Sequence, residues 1–281
     1  NDKEVPIILR IEEVIELALE SGKTSDSVTL GFRPQRRRPP RFQGAPALPI
    51  QRTAERFLEN AAGRKALFLG YDGTLRKSSE RMEEIGPDEE LRQVLELLNA
   101  RQDIDVFILS RQRRQLIEDH LGRYERFTLV AEHGYSVGRP GFPPRKFEVF
   151  NRHAQMGWID RVIPIMDLFR EHTPGSRVEV GMVEVLWHYR KVDPEYGEFK
   201  AKELMHTLLH SVANLPCEVA CGNMLVEVTS LQVKKGIVVK HFFDEQKASP
   251  AGPYSAAICI GDDRTDESMF QTLQAEVSDS Q

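Results

Sequence analysis

The sequence predicts an α/β protein in which a parallel sheet, covered by helices on both faces, is interrupted by a second and smaller α/β layer. Three observations predict it. Four short, continuous apolar runs alternate with amphipathic helical patterns, the sign of βα units. Residues 152–229 change rhythm to helix-strand-strand, given twice. The 281 residues also exceed what one compact core usually accommodates, which favours two packed units.

In chain order, residues 7–20 place Ile8, Ile11, Val14, Ile15 and Leu19 at mostly helical spacing before Ser21-Gly22, so an amphipathic helix is expected. Phe32 to Arg41 follows, where prolines forbid helix and Arg36-Arg37-Arg38 repel one another. This stretch reads as a solvated linker, with a nuclear-localisation or phosphate-binding patch as the sharper alternative. Ala66–Leu69, Val106–Leu109, Thr128–Ala131 and Ala257–Ile260 are the strands buried on both faces. A helix carrying Leu91, Val94, Leu95 and Leu98 on one face lies between the first two, and a second helix is expected over about 111–121. Within the interrupting block, helices are expected at Trp158–Arg170 and Glu195–His210. Paired strands are expected within Val178–Tyr189 and Glu218–Val228, with Met156, Trp158, Leu168 and Phe169 as core. The parallel pattern resumes with a helix from Lys235 to Phe243. The expected division is an N-terminal helix and linker over 1–55, a core over 56–150 and 230–281, and an inserted cap over 151–229.

With 40% hydrophobic and 29% charged residues the chain is neither collagenous nor disordered. A net charge of −5 argues against a nucleic-acid partner. No apolar run reaches the roughly 18–20 residues a bilayer needs, and Asn1-Asp2-Lys3-Glu4 lacks the order of a secretory leader. Three cysteines show no paired spacing, so a reducing, cytoplasmic setting without a membrane partner is expected.

Four strand-end or helix-start segments of the core carry polar residues where an open α/β sheet binds its ligand. They are Gly70-Tyr71-Asp72-Gly73-Thr74-Leu75, Ser110-Arg111, Lys234-Lys235-Gly236, and Gly261-Asp262-Asp263-Arg264-Thr265-Asp266-Glu267. Singly each is a turn, a helix cap or a solvated face. In that order, acidic strand ends can hold Mg²⁺ while hydroxyl, lysine and helix N-terminal amides hold phosphate oxygens.

These segments resemble the haloacid-dehalogenase phosphohydrolases, and within them the trehalose-6-phosphate phosphatase branch. Ala131-Glu132-His133-Gly134, Trp187-His188-Tyr189-Arg190, Asp193-Pro194-Glu195 and Val226-Glu227-Val228 carry the resemblance further, over about Leu48 to Phe270. It implies a Rossmann-like core with an inserted cap, and Mg²⁺ as cofactor. It also implies phosphate contacts at Ser110 and Lys235, a metal ligand at Asp262, and sugar-side residues at Glu132, His133, Arg190 and Glu227. The family continues past the last acidic segment with another strand and helix, whereas Gln271 to Gln281 turns polar.

The chain departs from that pattern where it matters most. The family's first strand ends in Asp-x-Asp, the first aspartate attacking phosphorus and binding Mg²⁺, the second protonating the leaving oxygen. Here the nucleophile position is Gly70 and only Asp72, the acid/base position, survives. Glycine is neither nucleophile nor ligand. Arg111 replaces a glycine where phosphate approaches the backbone, and Gly181 follows Glu179-Val180 where the family carries a lysine. The expectation is a catalytically impaired subunit with weak or lost Mg²⁺ binding, partnered by a trehalose-6-phosphate synthase and an active phosphatase. The alternatives are an active phosphatase with an unconventional nucleophile and a sensor that binds trehalose 6-phosphate without cleaving it.

Overall fold

The computed structural model describes residues 28–29, 57, 63–76, 86–262 and 264–278. The expected helix at 7–20 and basic arm at 32–41 lie outside the described residues. The described chain divides into two compact units, one running up to Glu148 and resuming at Lys235, the other spanning Val149–Lys234.

The first unit is built on strands β1 (Val28–Thr29), β2 (Lys65–Gly70), β3 (Ile104–Leu109), β4 (Thr128–Ala131), β5 (Ser136–Gly138) and β11 (Ala256–Ile260), with β6 (Phe147–Val149) at one edge. Their order is β1-β11-β2-β3-β4-β5-β6. Strands β1, β11, β2, β3 and β4 pair in parallel, and β5 pairs antiparallel with β4. The four apolar runs are therefore the central strands, as their continuous hydrophobicity requires. Helices α1 (Glu89–Ala100) and α2 (Arg114–Leu121) cover one face, burying Leu91, Leu95, Ile117 and Leu121 against Leu67, Leu69, Val106 and Ile108. Phe68 and Phe107 point the other way and stack at 4.5 Å, with Phe242 and Phe243 of α5 (Lys235–Ala248) against them.

The structure corrects one expectation for this unit and adds two features to it. Helix α2 begins at Arg114 rather than near 111, because Ser110–Arg113 forms a loop in which the Ser110 hydroxyl accepts from the Gln112 N–H at 3.0 Å. The polar C-terminal stretch is reached within a helix: α6 spans Glu267–Ser278 and buries Met269, Phe270 and Leu273. Strands β1, β5 and β6, two or three residues each, extend the sheet beyond the four expected strands.

The second unit is an antiparallel sheet of β7 (Arg177–Val180), β8 (Glu184–His188), β9 (Cys217–Cys221) and β10 (Leu225–Ser230), in the order β7-β8-β10-β9. Helices α3 (Ile159–Glu171) and α4 (Pro194–Ser211) pack on one face around Trp158, Val162, Met166, Trp187, Leu204 and Val226. Leu168 is exposed instead of lying in that core, since Val162 and Met166 set the inward stripe of α3 and Leu168 falls off it. Strand β10 alternates, burying Val226 and Val228 and turning Glu227 to the opposite face. Among the described residues no helix is long and apolar enough to cross a membrane.

Candidate functional site

Parallel register brings the predicted segments of the first unit together. Gly70 pairs with Leu109 and Ile260 with Leu69, so the residues following β2, β3 and β11 emerge side by side at one edge of the sheet. Strand β2 is where the order reverses, with β3 on one side and β11 on the other, the position at which such sheets bind ligands.

Gly70 closes β2, buried, and its φ lies outside the left-handed region, so the backbone does not require glycine there. A Cβ at this position would stand 2.9 Å from Thr74 Oγ1 and 3.4 Å from Asp266 Oδ1. Position 70 thus faces Asp266 of the second acidic segment, and glycine brings no functional group to it. Two residues on, the Asp72 carboxylate is held on several sides. It accepts from Ser110 Oγ at 2.7 Å, from Arg76 Nε at 3.3 Å and from Gln112 Nε2 at 3.4 Å. Arg76 and Gln112 were not among the sequence-derived site residues. Arg76 carried no readable signal, because only the tight turn around Gly73, at φ 82°, folds it back onto Asp72.

The opposite wall comes from β11 and α5. Lys235, the first residue of α5, is buried and its ammonium donates to Asp266 Oδ1 at 2.6 Å. The other Asp266 oxygen accepts from the Asp262 N–H at 3.1 Å. Asp262 accepts from the Thr74 hydroxyl at 2.9 Å, and its carboxylate lies so close to Gly73 that a Cβ there would overlap it. Ser110 and Lys235, the expected phosphate contacts, thus stand at this edge with their polar atoms engaged by Asp72 and Asp266.

Glu132 and His133 follow β4 in a short 3₁₀ turn, both buried and both with left-handed backbone, φ 54° and 58°. Two successive non-glycine residues in that region store strain. Backbone bonds from Glu132 N to Gln112 O at 3.0 Å and from His133 N to Ser110 O at 3.1 Å hold the turn against the loop after β3. The Glu132 carboxylate accepts from Ser136 Oγ at 2.6 Å. These residues therefore adjoin Ser110, whereas Arg190 and Glu227 belong to the second unit. Arg190 lies not on a strand of the second unit but exposed in the turn after β8, which ends at His188. Glu227 is half-buried on β10, and Glu179, near the altered Gly181, accepts from His188 Nε2 at 3.0 Å and Arg177 Nη1 at 3.2 Å.

The implied Mg²⁺ finds an incomplete donor set. Mg²⁺ needs near-octahedral oxygen coordination, normally with one or two carboxylates. Gly70 supplies none, Asp266 is bonded to Lys235, and Asp262 is the one carboxylate left from the family's pair. Among the described residues no group of three acidic, His or Cys side chains is placed to hold a metal. The residues do not fit the family's two-carboxylate site.

A family model for trehalose-phosphatase matches residues 68–281. The UDP-forming alpha,alpha-trehalose-phosphate synthase B of Dictyostelium discoideum is 36% identical over 210 residues, 74% of this chain and 25% of that protein. The trehalose-phosphatase of Saccharomyces cerevisiae is 32% identical over 232 residues, 77% of this chain and 26% of its own. The solved C-terminal domain of Candida albicans trehalose-6-phosphate phosphatase superposes with a TM-score of 0.70 at 29% identity, covering 78% of each chain. This chain spans about a quarter of the length of the curated relatives it matches. With polar segments gathered at one edge of the parallel sheet, an antiparallel second unit and a family match over most of its length, the chain belongs to the trehalose-phosphatase family.

Proposed function

We propose that this chain is a catalytically impaired trehalose-phosphatase-like domain. It serves as a regulatory or structural subunit of trehalose biosynthesis in the cytoplasm, beside a trehalose-6-phosphate synthase and an active phosphatase. The observation that carries the reading is Gly70 at the end of β2. It sits where the family places its nucleophile, in ordinary backbone geometry, with no carboxylate within the strand to replace it. Covalent phosphoryl transfer fails at its first step without that group, and loss of an essential nucleophile costs on the order of 10⁶ in turnover in other hydrolases. Asp72 does not stand in for it, being tied to Ser110, Arg76 and Gln112. Relatives named as synthase and as phosphatase both contain a matching segment, which supports a place for this domain beside those two activities.

The test is phosphate release from trehalose 6-phosphate with Mg²⁺, comparing the chain with its Gly70→Asp variant. The native chain is expected to stay at the blank rate. Reproducible turnover by the native chain would overturn the proposal.

A further inference from the structure

We propose that His206 and His210 form a bidentate surface site for a divalent transition-metal ion of the zinc, nickel and copper class. The two residues are one turn apart on α4, so their side chains rise from the same face of the helix. Both are exposed. Their rings are 4.5 Å apart between centroids and inclined at 68°, which points the two Nε2 atoms at each other across 3.2 Å.

That separation is what a chelate needs. Imidazole nitrogen binds zinc at about 2.0–2.1 Å, so two nitrogens 3.2 Å apart subtend about 100° at the ion, near the tetrahedral angle. A modest rotation of each ring turns its lone pair from the other nitrogen onto the ion. Without metal, one ring's Nε2–H can donate to the other ring's bare Nε2; when the ion binds, the donating ring takes its Nδ1–H tautomer and both Nε2 atoms become ligands.

The helix itself is firmly placed, which lowers the ordering cost of binding. Asp193 caps its start, accepting from Tyr196 N at 3.0 Å, and Pro194 opens the first turn. Leu204, Leu208 and Val212 are buried on either side of the histidines along the chain, so the last turn is pinned to the core of its unit. The pair also lies at the C-terminal end of α4, where unsatisfied carbonyls favour a cation. Glu203, one turn earlier, is engaged by Lys200 at 2.7 Å. Since no third His, Cys, Asp or Glu completes a three-ligand cluster among the described residues, water fills the remaining positions. Two imidazoles select Zn²⁺, Ni²⁺ or Cu²⁺ over Mg²⁺, with Cu²⁺ the tightest.

The site is independent of the phosphatase-like edge, and so is its test. Zn²⁺ is titrated calorimetrically into the untagged chain in excess Mg²⁺, with circular dichroism to check the fold of each variant. One saturable site is expected. His206→Ala and His210→Ala should each weaken it at least about tenfold, because the second ligand no longer acts at high effective concentration. Cys221→Ser, which removes an exposed thiol on β9, should leave it unchanged. The proposal is overturned by no saturable binding at millimolar Zn²⁺, by binding that survives both histidine substitutions, or by binding lost in Cys221→Ser.

Discussion

The Arg76 guanidinium lies 3.2 Å from the Asp72 carboxylate, and each side chain is only 9% exposed. The residues are four apart, yet no helix joins them. The chain leaves β2, turns at Gly73 and returns so that Gly73 N donates to Arg76 O at 2.7 Å. The Arg76 guanidinium also lies 5.1 Å from the centroid of the Tyr71 ring, and that tyrosine is itself fully buried. The surviving acidic residue of the first motif is thus held in a local network with Arg76, Ser110 and Gln112.

A double-mutant cycle measures that network. For Arg76→Met, Asp72→Asn and the pair, urea denaturation is expected to give a coupling of about 1–3 kcal/mol, against about 0.2–1 kcal/mol for exposed ion pairs. Coupling near zero would mean that the contact contributes nothing to holding the turn.

Restoring the missing carboxylate should create a metal requirement. In Gly70→Asp the new side chain must displace the Thr74 hydroxyl and enter beside Asp266, adding negative charge near Asp262. Without metal the variant is expected to lose about 1–3 kcal/mol. Millimolar Mg²⁺ should raise its melting temperature by about 3–5 °C while leaving the native chain unmoved. Equal shifts in both proteins would show that position 70 is not what limits the site.

The parts of this structure that were legible in the sequence are those whose physics is local and repetitive. Strands β2, β3, β4 and β11 announced themselves because burial on both faces demands unbroken apolar runs such as Ala66–Leu69. Val28–Thr29 pairs with β11 yet has only two residues, too few for any periodicity. Helix α6 was hidden for another reason: Glu276 is buried on it, neutralised by Lys240 at 2.8 Å and Lys247 at 2.6 Å, so one inward position reads as polar. That Gly70 ends a strand and Lys235 opens a helix was legible through motif order. The grip of Arg76 and Gln112 on Asp72 was not, since it depends on the path of a turn and on side-chain reach.

The Lys235–Asp266 pair, at 2.6 Å with side chains 6% and 1% exposed, sets up a stability prediction. Lys235→Met leaves the Asp266 carboxylate buried without its ammonium partner, and is expected to cost about 3–5 kcal/mol. Lys235→Met with Asp266→Leu should cost less than half of that, because no charge is left stranded. If the double variant is as unstable as the single one, the loss comes from packing around α5 and not from an uncompensated charge.

Acid should act on a different carboxylate. Asp103 lies between Arg101, which reaches it through two bonds of 2.7 Å, and the buried Lys65 at 3.1 Å. The Arg101 guanidinium holds the Asp103 carboxyl well below the usual carboxylate range; partial burial opposes this and the Lys65 ammonium adds to it. A carboxyl depressed in the folded state stabilises the fold above its unfolded pKa, about 3.9, and that contribution disappears as pH falls through the folded value. Because the Asp103 side chain is 40% exposed, solvent screening limits its worth to about 1 kcal/mol. Asp103→Asn is therefore expected to lower the urea midpoint at pH 7, with the difference from the native chain shrinking steadily as pH falls below about 4. A deficit of the same size at pH 7 and pH 2.5 would mean that the asparagine disturbs packing, and that charge at Asp103 is not the source of its contribution.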